Sequence, residues 1–188
     1  MVIFLIGSVL LIAAVGCGDD DASNETPSSK AIAAFRPNLN AADPRLKAIY
    51  KQASQLLDGG RAAYDRRIAT LHGLPIVVNK WGSWCGPCRN EFPLFQQAAR
   101  DRGGHVAFLG VNVSDGRSDA LGFLRERPLP YPSFVDSRLF ISQLLPPAAA
   151  APSTGFYDRS GKLTHVKAGE YRNATELSAD IRRYALGE

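Results

Sequence analysis

Residues 74–88 read LPIVVNKWGSWCGPC, an apolar run that ends in two cysteines separated by two residues. The run over residues 74–81 does not alternate polar with apolar positions, so it predicts a central strand covered on both faces. Residues 89–102 then predict a helix. Cys85 and Cys88 therefore lie at a strand-to-helix turn. There the free N–H groups and the positive end of the helix dipole favour a thiolate, so the pair is predicted to be redox-active.

Two other uses of such a cysteine pair fit the sequence less well. A structural zinc site needs a second pair of ligands at short spacing. The remaining cysteine and histidines stand apart from one another: Cys17, His72, His105 and His165. A purely structural disulfide between Cys85 and Cys88 would close a loop too short to stabilise much of the chain. We therefore expect no metal and no other cofactor.

Length and charge place further limits on function. The 188 residues suit one domain with additional segments, and the net charge of +4 is modest. Basic residues are scattered among acidic ones and form no stripe interleaved with aromatic residues, so nucleic-acid binding is not expected. The sequence contains no internal repeat and no glycine-rich loop of the kind that holds phosphates.

The N-terminus has a composition of its own. Residues 1–16 are almost wholly apolar and uncharged, and they end in small residues directly before Cys17. This pattern resembles a bacterial lipoprotein signal, which implies cleavage before Cys17 and lipidation of that cysteine. Two acyl chains would suffice for stable anchoring. The alternative is an uncleaved membrane anchor in which Cys17 has no role. Both interpretations place the remainder of the chain outside the cytoplasm.

The segment after Cys17 is expected to be a tether. Residues 17–42 are rich in Asp, Ser, Asn, Pro and Ala, a composition typical of flexible linkers. We therefore predict a folded domain over residues 43–188, in which Cys85 and Cys88 are the only cysteines.

Local patterns predict the elements of this domain. In chain order they are a helix from Asp43-Pro44 to Leu57, a helix over 62–71, the strand over 74–81, a helix over 89–102, a strand over 105–113, a helix from Ser118 or Asp119 to about Arg127, a short extended piece over 131–135, a helix over 137–145, a hairpin over 153–158 and 163–167, and a last helix with a capping box at Asn173 and Glu176. The strand–helix–strand unit implies a parallel pair.

The motif Trp84-Cys85-Gly86-Pro87-Cys88 and this order of elements resemble the thioredoxin superfamily. Residues 75–93 are similar to TlpA/ResA-like thiol–disulfide oxidoreductases, which are membrane-tethered and extracytoplasmic. The resemblance extends over about residues 45–186 and matches only in outline in the C-terminal half. It implies an α/β, thioredoxin-like fold: a central mixed sheet flanked by helices, with an N-terminal helical extension and a central insertion.

Each residue of the motif has an expected role. Cys85 is the nucleophile, at the exposed end of the turn, and Cys88 is the shielded, resolving cysteine. Pro87 stiffens the turn beside Gly86 at little cost, because its missing N–H falls among the unpaired groups of the helix start. Trp84 is expected to cover the site as an apolar wall, although ordinary core packing would explain it nearly as well.

Glu91 stands where the family carries a glutamate, three residues after Cys88. Since residues i and i+3 share a helix face, the resemblance implies that Glu91 relays protons below the cysteine pair with a raised pKa. The alternative is a glutamate on the helix surface. Asn79 stands where thioredoxin has a buried aspartate, so proton handling falls to Glu91. Lys80 departs from the family pattern, and a lysine in this strand must pair or extend to water. A salt bridge near the site would satisfy it.

Pro152 fits the place of the cis-proline that precedes the hairpin in thioredoxin-like folds. The resemblance implies that it faces the cysteines and leaves backbone groups free to pair with an extended substrate strand. Pro146 and Pro147 are rivals, but they lie further from the strand.

The resemblance implies a monomeric enzyme that reduces disulfides of exported proteins, apocytochrome c among them, with electrons from a membrane thiol carrier. The Gly86-Pro87 dipeptide favours a reductant. Two alternatives remain. One is a redoxin-type thiol peroxidase, against which the WCGPC motif argues. The other is a copper metallochaperone that would use the cysteine pair with a histidine such as His165.

Overall fold

The computed structural model describes residues 29–188. The predicted signal peptide, Cys17 and the predicted tether as far as residue 28 lie outside these residues. The described elements, in chain order, are α1 (Ser29–Ala33), α2 (Pro44–Tyr50), β1 (Leu56–Leu57), α3 (Gly60–Thr70), β2 (Ile76–Trp81), α4 (Gly86–Arg102), β3 (Ala107–Val113), α5 (Arg117–Glu126), β4 (Ser133–Asp136), a 3₁₀ turn (Ser142–Leu144), β5 (Ser153–Tyr157), β6 (Leu163–Ala168) and α6 (Ala174–Asp180), which continues as a π-helical segment (Ile181–Leu186).

The six strands form one mixed sheet in the order β1-β4-β3-β2-β5-β6. β2 is parallel to β3 and antiparallel to β5, and every residue of β2 is buried. The predicted central strand and the predicted parallel pair are therefore confirmed. β3 and β1 both pair with β4 in parallel, while β5 and β6 form the predicted antiparallel hairpin.

Helices cover both faces of this sheet. On one face, the Trp81 ring contacts Phe92 of α4 and Phe123 of α5 at centroid distances of 5.4 Å. On the other face, Tyr64 of α3 meets Phe134 of β4 at 5.6 Å. This confirms the expected mixed sheet flanked by helices. Within residues 29–188, no helix is both long enough and apolar enough to cross a bilayer.

The first predicted helix of the domain starts as expected but ends early. Asp43 caps α2 by accepting the N–H of Arg45 at 2.8 Å. The helix stops at Tyr50, and Leu56–Leu57 forms a strand on β4 instead of a last helical turn. The cause is a contact distant in sequence. The Ser54 hydroxyl donates to Leu129 O and accepts from Leu129 N, both at 2.9 Å, which turns the chain toward β4.

The central insertion also differs from the prediction. The helix expected over residues 137–145 is reduced to the three-residue 3₁₀ turn. The buried carboxylate of Asp136 accepts the N–H groups of Ile141 and Ser142 and the Ser142 hydroxyl, at 2.6–3.2 Å. These bonds attach residues 141 and 142 to Asp136 at the end of β4, so the segment does not form a longer helix.

The C-terminal helix begins where its capping residues predict. Asn173 Oδ1 accepts the N–H of Glu176 at 3.0 Å, as an N-cap does. The Glu176 carboxylate in turn accepts the N–H of Arg172 at 3.4 Å. This start fixes the segment that leads from β6 to α6, and that segment reaches the cysteine-bearing helix α4.

Candidate active site

Cys85 and Cys88 form a disulfide at the start of α4, with an S–S distance of 2.02 Å. Cys85 is the N-cap residue of this helix, and its Sγ accepts the N–H of Cys88 at 3.1 Å. Pro87 lies in the first turn, where an N–H would have no partner within the helix. The sulfur of Cys85 is thus placed against the positive end of the α4 dipole, which stabilises a thiolate when the disulfide is opened.

The expectation that Cys85 is exposed is wrong for this disulfide-bonded form. Cys85 is 2% exposed and Cys88 is 0% exposed. The Cys85 sulfur turns inward because it bonds to Cys88 and accepts a helix N–H. The exposed surface of the site is made by Trp84, which is 52% exposed, together with Gly86 and Pro87.

Asp115 holds the turn that precedes Cys85, and the sequence did not point to it. Its carboxylate accepts the Ser83 N–H at 2.7 Å and the Ser83 hydroxyl at 2.6 Å. The Trp84 indole N–H donates to Val113 O at 3.1 Å. This bond holds the orientation of the ring, although half of the side chain is exposed. Position alone could have suggested this role, since Asp115 follows β3 at the carboxyl end of parallel strands, where sites form.

Glu91 is wholly buried on α4, so the alternative of a surface glutamate is excluded. Asn79 Nδ2 donates to Glu91 Oε1 at 2.9 Å, and the Tyr171 N–H donates to Oε2 at 3.1 Å. Burial raises the pKa of this carboxyl to about 7, while the two hydrogen bonds and the nearby charge of Lys167 oppose the rise. Such a group can take up or release a proton near neutral pH.

Tyr171 is the second residue of the site that sequence reasoning missed. It lies between β6 and α6, 80 residues from Glu91. Its hydroxyl donates to Asp180 Oδ2 at 2.7 Å, and the Lys167 Nζ lies 4.4 Å from its ring centroid. These contacts fix the backbone N–H that Glu91 accepts. No local pattern marks the residue, because its role depends on the hairpin being folded onto the sheet.

Pro152 lies directly before β5, and the Ala151–Pro152 bond is cis. Ser153 pairs with Lys80 across β5 and β2, and one further step of this register brings Pro152 opposite Trp81. Pro152 is thus at the end of β2 from which the chain runs into the Cys85 turn. The Pro146–Pro147 bond is also cis, but it lies further back in the same loop.

Lys80 has partners other than the predicted carboxylate. Its ammonium donates to Leu145 O at 2.5 Å and to Pro147 O at 2.6 Å, in the loop before Pro152. The expected salt bridge is therefore replaced by two backbone carbonyls. Burial lowers the pKa of Lys80 to about 8, and the negative charge of Asp136 partly opposes this effect.

The histidine proposed for copper binding lies in an aromatic stack. His165 stacks on Tyr184 with ring centroids 4.0 Å apart, and its ring also stacks against Phe156 at 6.2 Å. In the part of the chain that the structure describes, no group of three or more His, Cys, Asp or Glu residues could hold a metal ion.

Sequence comparisons agree with the chemistry of this site. The family model described as Redoxin matches residues 52–181. The thiol:disulfide interchange protein DsbE of Pseudomonas aeruginosa is 33% identical over 101 residues, which are 54% of this chain and 54% of that protein. The thiol-disulfide oxidoreductase ResA of Geobacillus kaustophilus is 25% identical over 126 residues, 64% of this chain and 67% of that protein. The chain thus spans about half the length of its DsbE relative.

A solved structure shows the same fold. The thiol:disulfide interchange protein of the thioredoxin family from Chlorobium tepidum superposes with a TM-score of 0.52 at 22% identity, covering 62% of this chain and 83% of that chain. The predicted thioredoxin-like fold is therefore confirmed. Because the Redoxin model covers more than half of the chain, including both cysteines, Glu91 and Pro152, this chain belongs to the Redoxin family.

Proposed function

We propose that this chain is a thiol–disulfide oxidoreductase that reduces disulfides of exported proteins through Cys85 and Cys88. The observation that carries the proposal is the position of the Cys85 sulfur at the N-cap of α4, bonded to Cys88 and accepting a helix N–H. The relatives named thiol:disulfide interchange protein and thiol-disulfide oxidoreductase support it.

The reaction proceeds by two exchanges. In the reduced protein the Cys85 thiolate attacks one sulfur of a partner disulfide, and the other partner sulfur leaves as a thiolate. The Cys88 thiolate then attacks the Cys85 sulfur and releases the second partner sulfur. Two electrons pass from the cysteine pair to the partner, and the pair ends as the disulfide that the structure contains.

Glu91 handles the proton of Cys88 in this proposal. Cys88 must lose a proton before it can attack, and it is fully buried. Glu91 lies on the same face of α4, and its pKa of about 7 suits proton transfer near neutral pH. Asn79 and Tyr171 hold the carboxylate in place.

Partner docking involves the backbone beside Pro152. The Pro152 carbonyl already accepts the N–H of Gly169 at 3.0 Å. An extended partner segment would therefore pair with the preceding residue, Ala151, as an added strand does. The exposed ring of Trp84, next to Cys85 in the chain, supplies apolar contact to the partner.

The cellular setting extends the same proposal. Lipidation of Cys17 would anchor the chain, and residues 18–42 would hold the domain away from the membrane surface. Reducing equivalents would come from a membrane thiol carrier, and apocytochrome c is a partner class to test. The Gly86-Pro87 dipeptide supports the reducing direction, since thioredoxin carries the same pair and has a potential near −270 mV.

Trapping of mixed disulfides tests the proposal. Cys88→Ala in the full-length chain should accumulate exported proteins bound to Cys85, identifiable by mass spectrometry after reduction. Cys85→Ala is the matched control and should trap none. The wild-type protein should also accelerate insulin reduction by dithiothreitol. Failure in both assays contradicts the proposal, and consumption of peroxide without insulin reduction would favour the thiol peroxidase instead.

A further inference from the structure

Lys80 is buried in the strand that leads to the active-site turn, and the chemistry proposed above gives it no part. Side chains of a strand alternate between its two faces. Asn79 and Trp81 face α4, where they contact Glu91 and Phe92. Lys80 therefore faces the opposite side of the sheet, which the loop between β4 and β5 covers.

The ammonium of Lys80 holds this loop through two carbonyl groups. It donates to Leu145 O at 2.5 Å and to Pro147 O at 2.6 Å. The hydroxyl of Ser153, the residue after Pro152, donates to the same Leu145 carbonyl at 3.1 Å. Lys80 and Ser153 are paired across β2 and β5. Neighbouring side chains of two strands thus bind one carbonyl.

The loop is fixed at its start by packing as well. Leu145 is wholly buried, and a Cβ added at Gly155 of β5 would lie 2.5 Å from Leu145 Cδ2. The preceding turn is held by Asp136, whose carboxylate accepts the Ser142 N–H at 2.7 Å. Without the ammonium, the buried Leu145 carbonyl and the partly buried Pro147 carbonyl would each lose a charge-assisted bond, which is costly. Lys80 is therefore the charged group that, together with the Ser153 hydroxyl, joins the loop before Pro152 to the strands β2 and β5.

We propose that Lys80 is a positioning residue for partner docking, which clamps residues 145–151 so that Ala151 presents a fixed backbone to an extended partner segment. This inference rests on the proposed function, because it concerns the docking edge of that site. A backbone edge that is already ordered binds more tightly than one that must be ordered on binding. A small disulfide, which reaches the sulfur without an extended segment, does not need that edge.

Kinetics with two substrates test the clamp. Lys80→Met keeps the length of the side chain and removes its donors. We expect its KM for insulin to rise about tenfold, as for the loss of one hydrogen bond to a charged group, with little change in kcat. Its rate with bis(2-hydroxyethyl) disulfide should stay near that of the wild type. Lys80→Gln, whose amide still donates, should have a KM for insulin between those of the wild type and Lys80→Met. Lys51→Met, at an exposed lysine, should leave the KM for insulin unchanged.

The inference would be overturned if Lys80→Met lowered kcat/KM equally for insulin and for the small disulfide, or if it left kcat/KM for insulin unchanged. Hydrogen exchange at the amides of residues 148–151 gives a second measurement that needs no activity. It should be faster in Lys80→Met than in the wild type, and an unchanged rate would also overturn the clamp. If the wild type reduced neither substrate, the proposed function would fail while hydrogen exchange still decided the clamp. If Lys80→Met does not fold, Lys80→Gln takes its place in both measurements.

Discussion

At the scale of single residues, Glu91 carries a pH dependence that stability measurements can detect. Its pKa is about 7 in the folded protein against an ordinary value of 4.5, because burial opposes ionisation. Between these two pH values the folded state keeps a proton that the unfolded chain has lost. The free energy of unfolding should therefore fall as pH rises from about 4.5 to about 7. Below that range the carboxyl is protonated in both states.

Glu91→Gln should remove this decline. Within residues 29–188 the Asn79 Oδ1 atom has no hydrogen-bond partner, so after rotation it can accept from the new amide. Relative to wild type, we expect the variant to gain on the order of 3 kcal/mol between pH 5 and pH 8. Urea unfolding across this range measures the difference. Glu126→Gln, at an exposed carboxylate, should keep the wild-type dependence of the unfolding free energy on pH. If Glu91→Gln also kept it, the decline could not be assigned to Glu91.

Asp115 offers a second test at this scale. Its carboxylate binds both the N–H and the hydroxyl of Ser83, two residues before Cys85. Asp115→Ala should lower the free energy of unfolding by about 1–3 kcal/mol, because hydrogen bonds to a charged acceptor are lost. Asp115→Asn keeps one acceptor oxygen and should recover part of the loss. Chemical denaturation of the three proteins measures both effects, and equal stability of wild type and Asp115→Ala would refute the role.

At the scale of elements, the start of α6 fixes the position of Tyr171. Asn173 caps the helix two residues after the tyrosine whose N–H binds Glu91. The helix cap Asn173 and the Tyr171 N–H that binds the Glu91 carboxylate are therefore close along the chain. Glu91 itself lies on α4, 80 residues before Tyr171.

Asn173→Ala should cost about 1 kcal/mol of stability, the usual loss for an N-cap, and Asn173→Gly only a few tenths. Thermal or urea unfolding measures the effect. Thr175→Ala, at an exposed position in the first turn, is the matched control and should be nearly neutral. Should alanine and glycine at position 173 prove equally harmful, the cap would not be the cause.

At the scale of the whole molecule, Gly110 marks where three strands of the sheet meet. A Cβ there would lie 2.8 Å from Ser133 Cβ, and the Ser133 hydroxyl accepts the Trp81 indole N–H at 3.0 Å. Gly110 thus lies between β2, which leads to the cysteines, and β4.

Gly110→Ala should destabilise the protein by about 1–3 kcal/mol, because the added methyl group displaces Ser133 and breaks its bond to Trp81. Gly122→Ala, in α5, meets Arg125 at an ordinary 3.6 Å and should instead stabilise by about 0.5–1 kcal/mol. Urea unfolding of both variants gives the signs. A neutral effect at position 110 would show that the sheet can widen there.

Residue patterns of short range predicted much of this molecule. The apolar run before the cysteines, the helix after them, the hairpin and the Asn173 cap are all where the sequence places them. The predicted second helix overlaps α3, which the structure starts two residues earlier, at Gly60, and ends one residue earlier, at Thr70. Each of these depends on side-chain periodicity or on a cap within four residues, which the chain carries regardless of its other parts.

By itself, the sequence determined that a cysteine pair sits at the start of a helix behind a buried strand. The tertiary structure alone decided what surrounds that pair. Asp115 is 32 residues from Ser83, Leu145 is 65 from Lys80 and Tyr171 is 80 from Glu91. β1 likewise exists only because β4 is there to pair with it. Such contacts follow from the order and register of the assembled sheet, since a buried polar group takes whichever partner folding brings within hydrogen-bond distance.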